Sequence, residues 1–110
     1  MAEFMVLYRS SQTVAEQMAG ANPEQMQAGM ALWEAWARKA GDAIVDLGRP
    51  LLEQRTLPAG AGGGTGHING YSILKGQSAD AIAALLEDHP HFESRGASIE
   101  VLEIMSMPGS

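Results

Sequence analysis

The residues of this chain with the most chemical potential are few. His89 and His91 flank a proline in the corner His89-Pro90-His91, and His67 stands just before a strand-like run. Arg9 closes the first apolar run, and Asp46 is a lone carboxylate among Ile44, Val45 and Leu47. Imidazole and carboxylate are the side chains that proton transfer near neutral pH calls for. His91 and Asp46 are therefore the predicted acid–base candidates. Arg9, His67, His89 and the phenol of Tyr71 are predicted ligand contacts through charge or hydrogen bonding. Met26 and Met30 are candidates for an adaptable apolar wall, because methionine fits irregular ligands.

Each candidate also has a purely structural reading. His89 sits on the apolar face of a helix C-terminus, where an imidazolium suits the helix dipole, and capping ranks ahead of catalysis. His67 beside a long loop suits solvent. Arg9 could meet an anionic ligand or pair with Glu100 on a neighbouring strand. Asp46 could be an edge-strand carboxylate facing water. The methionines suit ordinary core packing, which is the preferred reading of the two. His-x-His without a carboxylate at a helical offset is no metal set, so no metal is predicted. The Ala59–Gly64 run is not followed by Gly-Lys-Ser/Thr or by a helix start, so it is no phosphate loop, and no cofactor is predicted.

Composition narrows the partners. The chain has 110 residues, net charge -6, only seven Lys and Arg, and no cysteine. One domain of this length buries roughly two-thirds of its unfolded surface and needs no covalent staple. Residues 1–107 are read as that domain, with a flexible loop at about 51–66 and a frayed tail at 108–110. The lack of cysteine fits a reducing, cytoplasmic setting. No basic cluster is present, so nucleic acid is not expected as a partner. No run is long and apolar enough for a membrane span, so no membrane partner is expected.

The elements that must position these residues follow from periodicity. Residues 3–9 alternate with apolar groups on both faces, which predicts a central strand. Residues 10–20 form a connector in which Thr13-Val14-Ala15-Glu16 has capping-box spacing before Gly20. Asn22-Pro23-Glu24-Gln25 opens the main helix, and Met26, Met30, Trp33, Ala37 and Ala40 make its stripe, widened by Leu32 and Trp36. Gly41 ends it. Residues 43–47 make a short strand and residues 70–76 a third. Ser78 caps a second helix running to Asp88, with Ile82, Leu85, Leu86 and His89 on one face. Residues 98–107 form the last strand.

The order strand, helix, strand, strand, helix, strand predicts an α+β, ferredoxin-like βαββαβ fold. Its four-stranded antiparallel sheet takes the order 4-1-3-2, with both helices on one face. The strands are apolar on both faces, so a homodimer with sheets face to face, a dimeric α/β barrel, is expected. Chain direction gathers Arg9, the Asn22–Gln25 cap, Arg49, His67, Asn69 and the His89–His91 corner at one end. Lys39, Asp42, Lys75 and Asp80 fall at the other.

These segments also carry a family resemblance. Residues 3–9 (Glu-Phe-Met-Val-Leu-Tyr-Arg), Asn22-Pro-Glu-Gln-Met-Gln into Gly41-Asp-Ala-Ile-Val-Asp, Gly70-Tyr-Ser-Ile, His89-Pro-His-Phe and residues 98–105 resemble the YCII-related (YciI-like) domain family. The resemblance covers most of the chain outside the glycine-rich loop. It implies the ferredoxin-like fold and dimeric α/β barrel already expected. The barrel dimers so resembled include muconolactone isomerases, monooxygenases and dehydrochlorinase-like enzymes. Some members carry a His-Asp pair proposed as an acid–base dyad, with the histidine near the start of the first helix. This chain has Gln25, Met26 and Gln27 there, so Asp46 would lack its family partner, and His91 is the surviving polar candidate.

Two functions are compatible with these residues. One is a homodimer that binds a small organic ligand, apolar or anionic, in a cleft near the dimer interface, with or without cofactor-independent acid–base chemistry. The other is a non-catalytic dimeric module.

Overall fold

A computed structural model describes residues 1–61 and 66–108. The expected loop partly overlaps residues 62–65, and Gly109 and Ser110 of the expected tail also lie outside the described residues. The chain forms β1 (Ala2–Ser10), α1 (Val14–Ala19), α2 (Pro23–Ala40), β2 (Ile44–Asp46), β3 (His67–Gly76), α3 (Ala79–Leu86) and β4 (Ser98–Glu103). Short 3-10 turns occupy Gly41–Ala43 and Pro90–Glu93. The sheet order is β2-β3-β1-β4 with every pairing antiparallel. This is the ferredoxin-like α+β topology that the sequence predicts.

Local chemistry explains the helix starts. Thr13 and Glu16 close a capping box on α1, and Asn22 and Gln25 close another on α2 with Pro23 in its first turn. Each box satisfies two amide donors that a helix start otherwise leaves unpaired. These bonds also hold the exposed Glu16 carboxyl below the usual carboxylate range. Ser78 accepts from the amide of Ala81 at the start of α3. One helix and two strands have bounds other than periodicity suggests. The second helix stops at Leu86, β4 stops at Glu103, and β3 begins three residues sooner, at His67.

Alternation along β1 sorts the molecule into two faces. Phe4, Val6, Tyr8 and Ser10 are buried toward the helices, while Met5, Leu7 and Arg9 are half-buried on the opposite side. The core joins Phe4, Val6, Tyr8 and Leu74 of the sheet to Trp36 and Ala40 of α2 and Ile82 and Leu86 of α3. Full burial of an aliphatic or phenyl side chain is worth about 1.5–3 kcal/mol, so this layer holds the helices to the sheet. Register places Leu102, Met5 and Ile73 in one row across the opposite, open face, and Glu100, Leu7 and Tyr71 in the next.

The stripe on α2 is only partly used. Trp36 and Ala40 are buried and Trp33 and Ala37 half-buried, but Met26, Met30 and Leu32 are exposed, Met30 at 63%. The expected core role of Met26 and Met30 is therefore not met within one chain. The reason is geometric. An 18-residue helix is about 27 Å long at 1.5 Å per residue, and only its C-terminal half lies over the sheet. Among the described residues, no helix is long and apolar enough to cross a membrane.

Candidate functional site

The described buried polar side chains are Ser10, Asn69, Ser72, His89 and His91. Ser72 and the two histidines lie in the layer between sheet and helices, Ser10 is on the buried face of β1, and Asn69 donates to the carbonyl of Gln12 at 2.8 Å. β1 supplies Tyr8 and Ser10 on its buried face, β3 supplies Asn69 and Ser72, and the corner after α3 supplies the histidines.

Tyr8 anchors the cluster. Its hydroxyl lies 2.8 Å from the Ser72 hydroxyl, and Ser72 donates to the carbonyl of Leu47 at 2.6 Å. Ser72 has one proton, so Tyr8 is the donor in the first bond. Burial pushes the Tyr8 phenol up to about 12, although the Ser72 bond opposes this. Tyr8 is thus a neutral donor that ties β1 to β3 and to the exit of β2.

His89 sits in an aromatic box. Its ring centroid is 4.9 Å from Tyr8, 4.4 Å from Trp33 and 4.4 Å from Trp36. Trp36 is held by a 2.9 Å bond from its indole N–H to the carbonyl of Leu85. His89 is 2% exposed, and burial, with His91 adding to it, lowers its pKa from 6.5 to about 4 against the pull of Asp88. The imidazole is therefore neutral at pH 7. Its Nδ1 accepts from the amide of His91 at 2.9 Å, so its proton resides on Nε2. Nε2 is buried and has no hydrogen-bond partner among the described residues. The expected dipole-capping imidazolium is thus replaced by a neutral acceptor that caps the Pro90–Glu93 turn, because three aromatic rings exclude the water a cation would need.

His91 is 5% exposed, and its Nε2 donates to the carbonyl of Arg9 at 2.7 Å. Burial lowers its pKa, opposed by backbone bonding at Arg9 and Ser98. It pins the corner to the end of β1. A His91→Ala chain is expected to lose about 1–3 kcal/mol in thermal or denaturant unfolding, because the Arg9 carbonyl loses its donor. An unchanged midpoint would show that water replaces the imidazole freely.

The other predicted residues are placed elsewhere. Asp46 caps Gly48 through Oδ1 at 2.9 Å and accepts from the Tyr71 hydroxyl through Oδ2 at 3.3 Å. Tyr71 lies opposite Leu7 in the register, so Asp46 and Tyr71 belong to the open face, across the sheet from His91. The structure does not bring His91 and Asp46 together. Arg9 pairs with Glu100 at 2.9 Å on that same open face, the structural alternative weighed for it. His67 meets Glu53 at 2.6 Å, and Glu53 also accepts from the amide of Ile68 at 3.2 Å. This clip fastens the loop after β2 to β3, away from the aromatic box. Lys39, expected at the far end, reaches Asp88 beside His89 at 2.6 Å. The Asn22–Gln25 cap lies about 12–16 Å along the helix from Trp33, at 1.5 Å per residue, away from the aromatic box.

Sequence reasoning placed Asn69 with the histidines at one end but missed Ser72, Ser10 and the two tryptophans as site residues. The alternation signal was present: Ser10 continues the buried face Phe4–Val6–Tyr8, and Ser72 precedes Leu74 by two. A polar residue in a buried register is a signal of internal bonding.

A groove of about 460 Å³ runs between α2 and the corner after α3, with His89 in its wall. Leu32, Ala35, Trp36 and Pro90 supply apolar surface, and Lys39, Asp88 and Glu93 supply charge. Among the described residues, no group of three His, Cys, Asp or Glu could hold a metal ion.

No family model matches the chain. No curated protein matches it either. Among solved structures, it is similar to the 5-chloro-2-hydroxyhydroquinone dehydrochlorinase TftG from Burkholderia phenoliruptrix, solved in complex with 2,5-dihydroxybenzoquinone. The two share 16% identity with a TM-score of 0.47, over 88% of this chain and 90% of the other.

Proposed function

We propose that this chain is a homodimeric small-molecule-binding protein of the YCII-related, dimeric α/β-barrel kind, acting in the cytoplasm. Dimerisation is supported by the open face. Its centre is the apolar row Leu102–Met5–Ile73 with Leu7 beside it, and its rim carries the Arg9–Glu100 and Tyr71–Asp46 pairs. An apolar centre with a polar rim is the anatomy of a protein interface. The missing cysteines support the compartment.

The observation that carries the binding role is the buried, unpartnered Nε2–H of His89 within an aromatic box beside the groove. A buried donor left unpaired costs about 1–3 kcal/mol, and a ligand acceptor would recover it. Sequence reasoning set the ligand near the dimer interface; this reading sets it on the helix layer. Binding is favoured over acid–base turnover because His91 is engaged by Arg9 and lies across the sheet from Asp46.

Trp33 and Trp36 are the only tryptophans in the chain, and both wall this site. Intrinsic fluorescence therefore reads it directly. A screen of small organic compounds is expected to give saturable changes in tryptophan emission. A screen in which nothing perturbs the emission at millimolar concentration would contradict the binding role.

A further inference from the structure

We propose that the groove between α2 and the corner after α3 selects an uncharged, planar ring compound bearing a carbonyl-type acceptor, which takes the Nε2–H of His89. This rests on the small-molecule reading above and names the class of ligand.

The donor is defined by the bonding around it. The amide of His91 occupies Nδ1, which leaves the only ring proton on Nε2. Among the described residues, no acceptor meets that proton. The imidazole is neutral, so it offers a hydrogen bond without a positive charge. A neutral donor gives a carboxylate no ion pair to offset the loss of its hydration, whereas a carbonyl gives up far less water.

The walls point the same way. Trp36 and Pro90 present flat surfaces, with Leu32 and Ala35 alongside. Trp36 is fixed by its bond to Leu85, and His89 by its bond to His91. Nε2 is buried, so binding requires the groove wall to open, and Leu32, 46% exposed and without a polar tie, is the apolar wall residue freest to move. The charged rim disfavours anions. Lys39 is engaged by Asp88 at 2.6 Å, and Glu93 is a further carboxylate in the same wall. The groove volume of about 460 Å³ falls within the ordinary range for small-molecule sites.

Three probes of one shape separate the alternatives: benzamide with a neutral acceptor, benzoate with a charged one, and toluene with none. Each is titrated into the intact protein by proton–nitrogen NMR of the histidine rings, alongside tryptophan fluorescence. Benzamide is expected to bind at least tenfold more tightly than benzoate or toluene. It is also expected to move the His89 Nε2–H resonance downfield, while toluene does not. In a His89→Phe chain, which keeps a flat ring and loses the donor, the benzamide preference is expected to fall to that of toluene. If that variant does not fold, the wild-type ring resonances still decide the outcome.

Toluene binding as tightly as benzamide would overturn the acceptor rule and leave the small-molecule reading intact. Benzoate binding most tightly would overturn the neutral class. No binding by any of the three at millimolar concentration would overturn the proposal for this groove. Small-molecule binding elsewhere would then still be judged by the fluorescence screen with other compounds.

Discussion

A Leu7→Asp chain is expected to run as a monomer in light scattering at concentrations where the natural chain is expected to run as a dimer. Leu7 lies on the open face of the central strand, between Glu100 on β4 and Tyr71 on β3. In the proposed dimer, two sheets facing each other would bury this position in both copies. A carboxylate there would be taken from water with no cation assigned to it, and an uncompensated buried charge costs about 3–5 kcal/mol. Two such charges meet across a symmetric interface, so dissociation should strengthen at least a hundredfold. The isolated fold should survive, because Leu7 points away from the Phe4–Val6–Tyr8 core. Circular dichroism of the variant checks this. A Leu7→Asp dimer as tight as the natural one would show that the open face is not the interface.

The second large effect is a loss of stability in mild acid. His89 titrates near 4 when folded and near 6.5 when free, so the unfolded chain binds the additional proton between those values. Stability from its neutral burial is complete above about pH 6.5 and is lost as pH falls toward 4, levelling off below. A shift of this size is on the order of 3 kcal/mol at its limit. The lowered pKa of His91 acts in the same direction. Denaturant unfolding at fixed protein concentration should show the decline between pH 7 and pH 4. A His89→Gln chain should show a shallower decline over that window. Equal slopes for the two proteins would remove His89 as the cause.

Much of the architecture was legible because it is local. Thr13 with Glu16, Asn22 with Gln25, and Ser78 before α3 are capping chemistries decided within four residues, and all three form as expected. The two-faced alternation of β1 likewise needs no distant information, and together with element order it yields the sheet. What periodicity cannot convey is where one layer stops. Met26, Met30 and Trp33 belong to one stripe, yet only Trp33 lies over the sheet, because the registry of α2 on β1 is set by packing against Tyr8 and His89.

The site was less legible for the same reason. His89 reads locally as a cation at a helix end. Its neutrality comes from Tyr8, Trp33 and Trp36, residues 53 to 81 positions away in the chain, which cannot be placed around it from spacing alone. His91 and Asp46 have the right chemical types for a dyad, and chain direction put the His89–His91 corner at one end of the sheet. The register then puts them on opposite faces. A one-residue change of parity along a strand is enough to send a side chain such as that of Asp46 to the other face.

Native mass spectrometry of gently purified protein tests the proposed homodimer and its small organic ligand at once. The expected species has twice the 11.6 kDa chain mass plus a small adduct that leaves on collisional activation. A bare 11.6 kDa chain as the only species at micromolar concentration would contradict it.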